Sequence, residues 1–177
     1  GEIFHLIGFS FVDSVKAVFI LSIPLSGYFM YKFLKEYTSE ILSLAGAVIY
    51  IFTPYRATDI FIRGAIGEIL AFVFPPLIAL AIVRIIKTKS IRWIAILSFS
   101  SAGLLMSHNI MAYMFFPVLG LLALILIFAD KVPRLHTFLK VFSGFILGLL
   151  ISIYFWLPAI VESTLMKYDT VFNFKDH

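Results

Sequence analysis

An all-α bundle of about six transmembrane helices is the fold class this sequence predicts, on three observations. Apolar residues fill 62% of the 177 positions and charged residues only 14%, with a mean hydropathy of +1.04. A water-soluble domain of this size needs more polar surface, so lipid must solvate much of the exterior. The apolar residues also fall into runs near the ~20 helical residues that a hydrocarbon core of ~30 Å requires. Finally, the alternation of a membrane β-barrel is missing. Backbone groups in lipid must pair within their own segment, which leaves helices.

The runs are 15–34, 39–55, 67–87, 91–107, 109–129 and 138–160, and ionisable side chains keep to their ends. Pro24, Pro75-Pro76, Pro117 and Pro158 each remove a backbone donor and are expected to kink or end their helices. In the last run, Gly144 and Gly148 form a small-xxx-small face suited to close packing. Tyr154, Trp156 and Tyr168 read as an aromatic belt near its outer end. No internal repeat or low-complexity linker is present, so 1–177 reads as a single membrane domain. It starts at Gly1, not Met, and stops at Asp176-His177 without a terminating pattern, and so reads as a fragment of a longer chain.

Charge orients the bundle. Taking alternate connections, one side carries Lys32, Lys35, Arg84, Lys87, Lys89, Arg92, Lys131, Arg134 and Lys140 against Glu36, Glu40 and Asp130. The other carries Lys16, Arg56, Arg63, Lys167 and Lys175 against seven acids. The first side is cytoplasmic by the positive-inside rule. The chain is thus expected to be a multi-pass protein of the plasma membrane with 56–68 and 107–109 on the non-cytoplasmic side. The net charge of +4 does not indicate a nucleic-acid partner, because the basic residues sit at the ends of apolar runs and form no continuous patch. The absence of Cys excludes disulfides and thiolate metal sites.

Two outer polar stretches stand out. The first is Pro54-Tyr55-Arg56-Ala57-Thr58-Asp59-Ile60-Phe61-Ile62-Arg63-Gly64-Ala65-Ile66-Gly67-Glu68. In an ideal helix Arg56, Asp59 and Arg63 share an arc of about 60°. Ile60, Phe61 and Ile62 make the segment 56–66 amphipathic enough to lie in the interface plane. Two guanidiniums on one face suit a phosphate or carboxylate, with Asp59 orienting one of them and Glu68 at the mouth of the next span. The alternative is an interfacial loop whose charges pair with each other and with headgroups. The second stretch is Ser107-His108-Asn109, a whole interhelical connection. From Trp93 to Met106 is only ~21 Å of helix, so this turn is expected to be recessed, where polar backbone is tolerated only if it lines a protein or water cavity. Either His108 and Asn109 join the two Arg residues in an anionic-ligand pocket, or they simply cap the next helix. His5, His108, His136 and His177 lie on separate elements, and carboxylates beside two Arg residues favour ion pairs over a metal. No cofactor is identifiable, and a divalent metal stays open as an alternative that no ligand spacing supports.

PYRATDIFIRGAIGE, then SHN at a short outer hairpin, then YFWLPAIVES ending a span resemble the prokaryotic membrane proteins labelled 6-pyruvoyl-tetrahydropterin synthase-related. Those are similar in layout to the polyprenyl-phosphate-dependent (GT-C type) glycosyltransferases. The resemblance covers most of the chain, and PYR-x-x-D-x-x-x-RG-x-x-x-E is its most specific part. The pterin label finds no counterpart, because soluble pterin synthases need a zinc-binding His cluster on a β-rich fold. The resemblance implies a GT-C-like enzyme that moves a sugar from a polyprenyl-phosphate carrier outside the cytoplasm. Its catalytic acid would lie upstream of Gly1, so no catalytic residue is named. Arg56, Arg63, His108 and Asn109 would bind the carrier phosphate or substrate, and Asp59 and Glu68 would orient them or a hydroxyl. A transporter or flippase, and a non-catalytic membrane scaffold, stand as alternatives. The span interiors lack the mid-depth ionisable groups that ion-coupled transport usually needs.

Overall fold

The computed structural model describes residues 2–88, 90–130 and 132–163, and every regular element among them is helical. Lys89, Lys131, Lys167, Tyr168, Asp169, Lys175, Asp176 and His177 lie outside the described residues. In chain order the elements are α1 (Glu2–Leu6), α2 (Phe11–Leu34), α3 (Glu40–Ile51), α4 (Pro54–Thr58), a π-helical turn (Asp59–Arg63), α5 (Ile66–Ala71), α6 (Phe74–Thr88), α7 (Ile91–Ser107), α8 (Asn109–Ala129), α9 (Arg134–Ile151) and α10 (Ile153–Ser163). Among the described residues, five segments are long and apolar enough to cross a membrane: Phe11–Leu34, Glu40–Arg63, Ile66–Thr88, Asn109–Ala129 and Arg134–Ile151. The apolar α7 is shorter, with 17 residues, ~25 Å of helix.

Sequence explains the boundaries. Ser10 caps α2 by accepting from the Asp13 amide, and Ser39 and Glu40 open α3. The packing follows from apolarity. α6 is buried on nearly all sides, with Ile78, Ile82 and Ile85 at its centre, between α2, α7 and α8. The outer helices bury one stripe and turn residues such as Ile20, Ile41, Ile49, Val118 and Leu139 outward, where hydrocarbon covers them. The Gly144 and Gly148 face packs as its spacing predicts. A Cβ on Gly144 would meet Leu97 at 2.6 Å, and one on Gly148 would meet the Ser98 carbonyl at 2.8 Å. These two glycines bring α9 onto α7.

The prolines behave unequally. α2 runs through Pro24, α8 through Pro117 and α10 through Pro158, so of the two expected outcomes, a kink or an end, these three do not end their helices. Pro75-Pro76 instead follow a break: α5 ends at Ala71 and α6 restarts at Phe74. The carbonyls freed by that break find donors. Pro76 has no N–H for the Phe72 carbonyl, and the Tyr50 hydroxyl donates to it at 2.8 Å. Val73 N–H turns back to Leu70 O, and the Ile69 carbonyl that it leaves receives Arg56 Nη2 at 3.5 Å. The span expected at 138–160 is also split, at buried Ser152. Ser152 Oγ donates back to the Gly148 carbonyl and Trp156 Nε1 takes the Leu149 carbonyl, an acceptor a continuous helix would give to Ile153. Back-bonding of this kind bends helices.

At the end of the bundle holding the α2–α3 and α6–α7 connections, Glu36 accepts from Arg84 at 2.5 Å and from Lys87 at 3.0 Å. These ion pairs join the two connections. Tyr50→Phe is expected to leave the Phe72 carbonyl unmet and to destabilise the bundle by about 1–3 kcal/mol. Unfolding of the detergent-solubilised protein in a denaturant series is the measurement.

Candidate functional site

The site is built at the opposite end, where α3 stops, α5 starts, and α7 passes to α8. Its centre is Glu68, whose side chain is only 4% exposed. Oε2 accepts from the Tyr55 hydroxyl at 2.5 Å and from Arg63 Nη1 at 2.9 Å. Oε1 accepts from Arg63 Nη2 at 2.6 Å and lies 3.4 Å from His108 Nε2. Arg63 Nη1 also reaches Asp59 Oδ1 at 3.0 Å and the Tyr55 oxygen at 3.2 Å. One guanidinium thus serves two buried carboxylates. The fork on Glu68 fixes its plane, as a lysine ammonium could not. The Arg63 side chain is still 47% exposed, so it forms the open edge of the cluster.

Local backbone explains how these groups meet. After α4 the chain widens into a π-helical turn, a form often found at functional sites, and Gly64 closes it at φ +60°. A Cβ there would meet nothing within 4 Å. Glycine is therefore set by the left-handed conformation, which costs other L-residues roughly 1–2 kcal/mol. Gly67 is set by space: its Cβ would fall 2.5 Å from the Ser107 carbonyl oxygen. The α7–α8 tip therefore packs directly on α5, one residue before Glu68. His108 then does both things its sequence position suggested. Its Nδ1 accepts from the Met111 amide as the cap of α8. That leaves the proton on Nε2, facing Glu68. Asn109 opens α8 with an exposed side chain.

The paired-arginine face of an ideal helix does not form. Arg56 is 1% exposed and turns into the bundle. It donates to Ser26 Oγ at 2.7 Å and to the Ser22 carbonyl at 3.4 Å, with its guanidinium over the Phe72 ring. The reason is the α5–α6 break, whose freed carbonyl draws the cation inward, while the π-helical turn sends Arg63 back over Asp59. Asp59 is fully buried. Its Oδ2 and Arg56 Nε have no hydrogen-bond partner among the described residues. Of the residues picked from sequence, Asp59, Arg63, Glu68 and His108 come together, Arg56 lies beneath them, and Asn109 sits at the rim. Sequence reasoning passed over Tyr55, Gly64 and Gly67 as site residues, although all three belong to the same motif. No spacing rule pairs Tyr55 with a carboxylate 13 residues on.

A family model described as a 6-pyruvoyl-tetrahydropterin synthase related domain, membrane protein, matches residues 7–173. The chain belongs to this family. No curated protein and no solved structure matches it. With the apolar helices described above, membership makes the chain an integral, multi-pass membrane protein. The PYRATDIFIRGAIGE motif of this family member encodes one connected ion-pair cluster and the two glycines that shape it.

Gly67→Ala is expected to push the Ser107-His108 tip off α5, at about 1–3 kcal/mol of stability, and to free the His108 imidazole from Glu68. Gly120→Ala, where a Cβ has open space, serves as the control. A rise in His108 acylation by diethyl pyrocarbonate in the first variant and not in the second is the readout.

Proposed function

We propose that this protein is part of a GT-C-like glycosyltransferase that moves a sugar from a polyprenyl-phosphate carrier on the non-cytoplasmic face of the plasma membrane. The observation that carries the reading is the meeting of two hairpin tips at Glu68, with Arg63 held in a fixed plane and half open to the outside. An anionic headgroup arriving at this edge would find the outward N–H groups of Arg63 first. The His108 imidazole and the N-terminus of the 21-residue α8 lie on the same side, and a helix N-terminus favours negative charge. Asp59 and Glu68 would then act as positioning residues that hold the cation, and Arg56 would support them from below. The sequence likeness to the polyprenyl-phosphate-dependent transferases supplies the substrate class.

The surroundings suit a substrate carried in lipid. Phe61 and Ile62, next to Arg63, are 85% and 80% exposed. A cleft of ≈ 190 Å³ between α2, α3 and α4 is lined by Ile23, Ile51, Phe52 and Ile60. An isoprenoid chain could lie against these groups while its phosphate meets Arg63. Fixed cations in a water-poor site would stabilise the charge that develops on a departing phosphate.

The test uses full-length protein in proteoliposomes, supplied with a radiolabelled polyprenyl-phosphate sugar. Arg63→Ala and Glu68→Gln are expected to lower transfer by about 10²–10³, the usual loss for an electrostatic group at a reacting centre, while membrane insertion persists. Wild-type transfer rates in both variants would remove the site from the reaction.

A further inference from the structure

A second cleft, of ≈ 320 Å³, opens at the other end of the bundle between α2, α6 and α7. Its lining changes with depth. Lys32 and Trp93 lie in terminal turns of α2 and α7, Arg84 lies about one turn before the end of α6, and the three form the rim. Leu77, Leu80 and Ile96 lie one to two turns further in and form an apolar floor. The cleft is therefore cationic toward the end of the bundle and apolar further in.

The charges at the rim are unbalanced. Glu36 is shared between Arg84 and Lys87, so one carboxylate faces two cations. Lys35 pairs with Glu40. Lys32 has no carboxylate partner among the described residues, and its Nζ lies 5.5 Å from the centroid of the Tyr28 ring. A cation resting on an aromatic face retains N–H groups for a further acceptor. Arg84 Nε, also at the cleft, is buried with no hydrogen-bond partner among the described residues. Trp93, beneath the Arg84 guanidinium at 5.9 Å, is the side chain type that anchors at the headgroup level.

We infer that this cleft is a binding site for one anionic phospholipid, its phosphate on Lys32 and Arg84 and an acyl chain along Leu77, Leu80 and Ile96. The inference is independent of the proposed activity, which lies at the opposite end. It rests on charge complementarity together with the match between cleft polarity and the polarity profile of a lipid. The bound lipid would join α2 to the α6–α7 pair close to where Glu36 pairs with Arg84 and Lys87.

Native mass spectrometry of the detergent-solubilised protein tests this, with phosphatidylglycerol and phosphatidylcholine of identical acyl chains as probes. The wild-type protein is expected to retain phosphatidylglycerol about fivefold better, the effect of roughly one well-placed cation. Lys32→Gln, which keeps length and removes charge, is expected to abolish most of that preference. Lys16→Glu, near the other end of α2, is expected to leave it intact. Excess glycerol 3-phosphate is expected to leave the lipid adduct in place. Equal retention of the two lipids by wild type would overturn the site, as would a preference that survives Lys32→Gln. A Lys16→Glu effect as large as that of Lys32→Gln would reduce it to net charge. Displacement by glycerol 3-phosphate would assign the cations to free phosphate instead of lipid.

Discussion

The end of the bundle where α3 stops and α5 starts depends on one buried carboxylate. Glu68 is removed from solvent, and an unpaired charge there would cost several kcal/mol. It persists because Tyr55, Arg63 and His108 all bond to it or closely approach it. Those three residues come from three separate stretches of chain: α4, the π-helical turn and the α7–α8 tip. The need to pair one charge therefore ties together segments that are otherwise short and poorly buried. Phe61 and Ile62 are exposed, and α5 has only 6 residues, so packing alone would not hold them.

The same reasoning explains where the polar groups went. In a chain of apolar helices each interruption frees backbone carbonyls, and those carbonyls need donors in the absence of water. The α5–α6 break before Pro75-Pro76 is met by Arg56 and Tyr50. Arg56 also reaches Ser22 and Ser26 of α2, so the interruption becomes a joint between helices. A cation used in this way is unavailable to an outside ligand, which divides the two motif arginines into one that holds the fold and one that forms the open edge.

This division marks the limit of what was legible in the sequence. Spans were legible because hydrocarbon thickness imposes a length and excludes charge. Gly144 and Gly148 were legible because close packing imposes a spacing. The grouping of Asp59, Arg63 and Glu68 followed from opposite charges placed close together in sequence. The inward turn of Arg56 was not legible, since it depends on a carbonyl freed 13 residues later by a break that ideal helix geometry does not contain. Pro24 and Pro117 show the converse. Each loses one donor, yet α2 and α8 continue, since a single missing bond leaves the rest of the helical ladder intact. At Ser152 the serine hydroxyl and the Trp156 indole took over the carbonyls, and there the helix did break.

The two ends of the bundle treat charge in opposite ways. At the end with Glu36, cations outnumber acids and lie at helix termini, partly open to solvent. Such an excess acts as a field on any anionic surface, falls off within about 10 Å in salt, and asks for little geometric order. At the Glu68 end, positive and negative groups nearly balance, Asp59 and Glu68 against Arg56 and Arg63. A balanced cluster draws little from a distance, so its directed N–H groups matter more than its net charge. The cost of burying Asp59 and Glu68 is reasonable only if orientation is what the fold gains from them. That is the physical difference between a diffuse excess of charge and a cluster whose geometry is fixed.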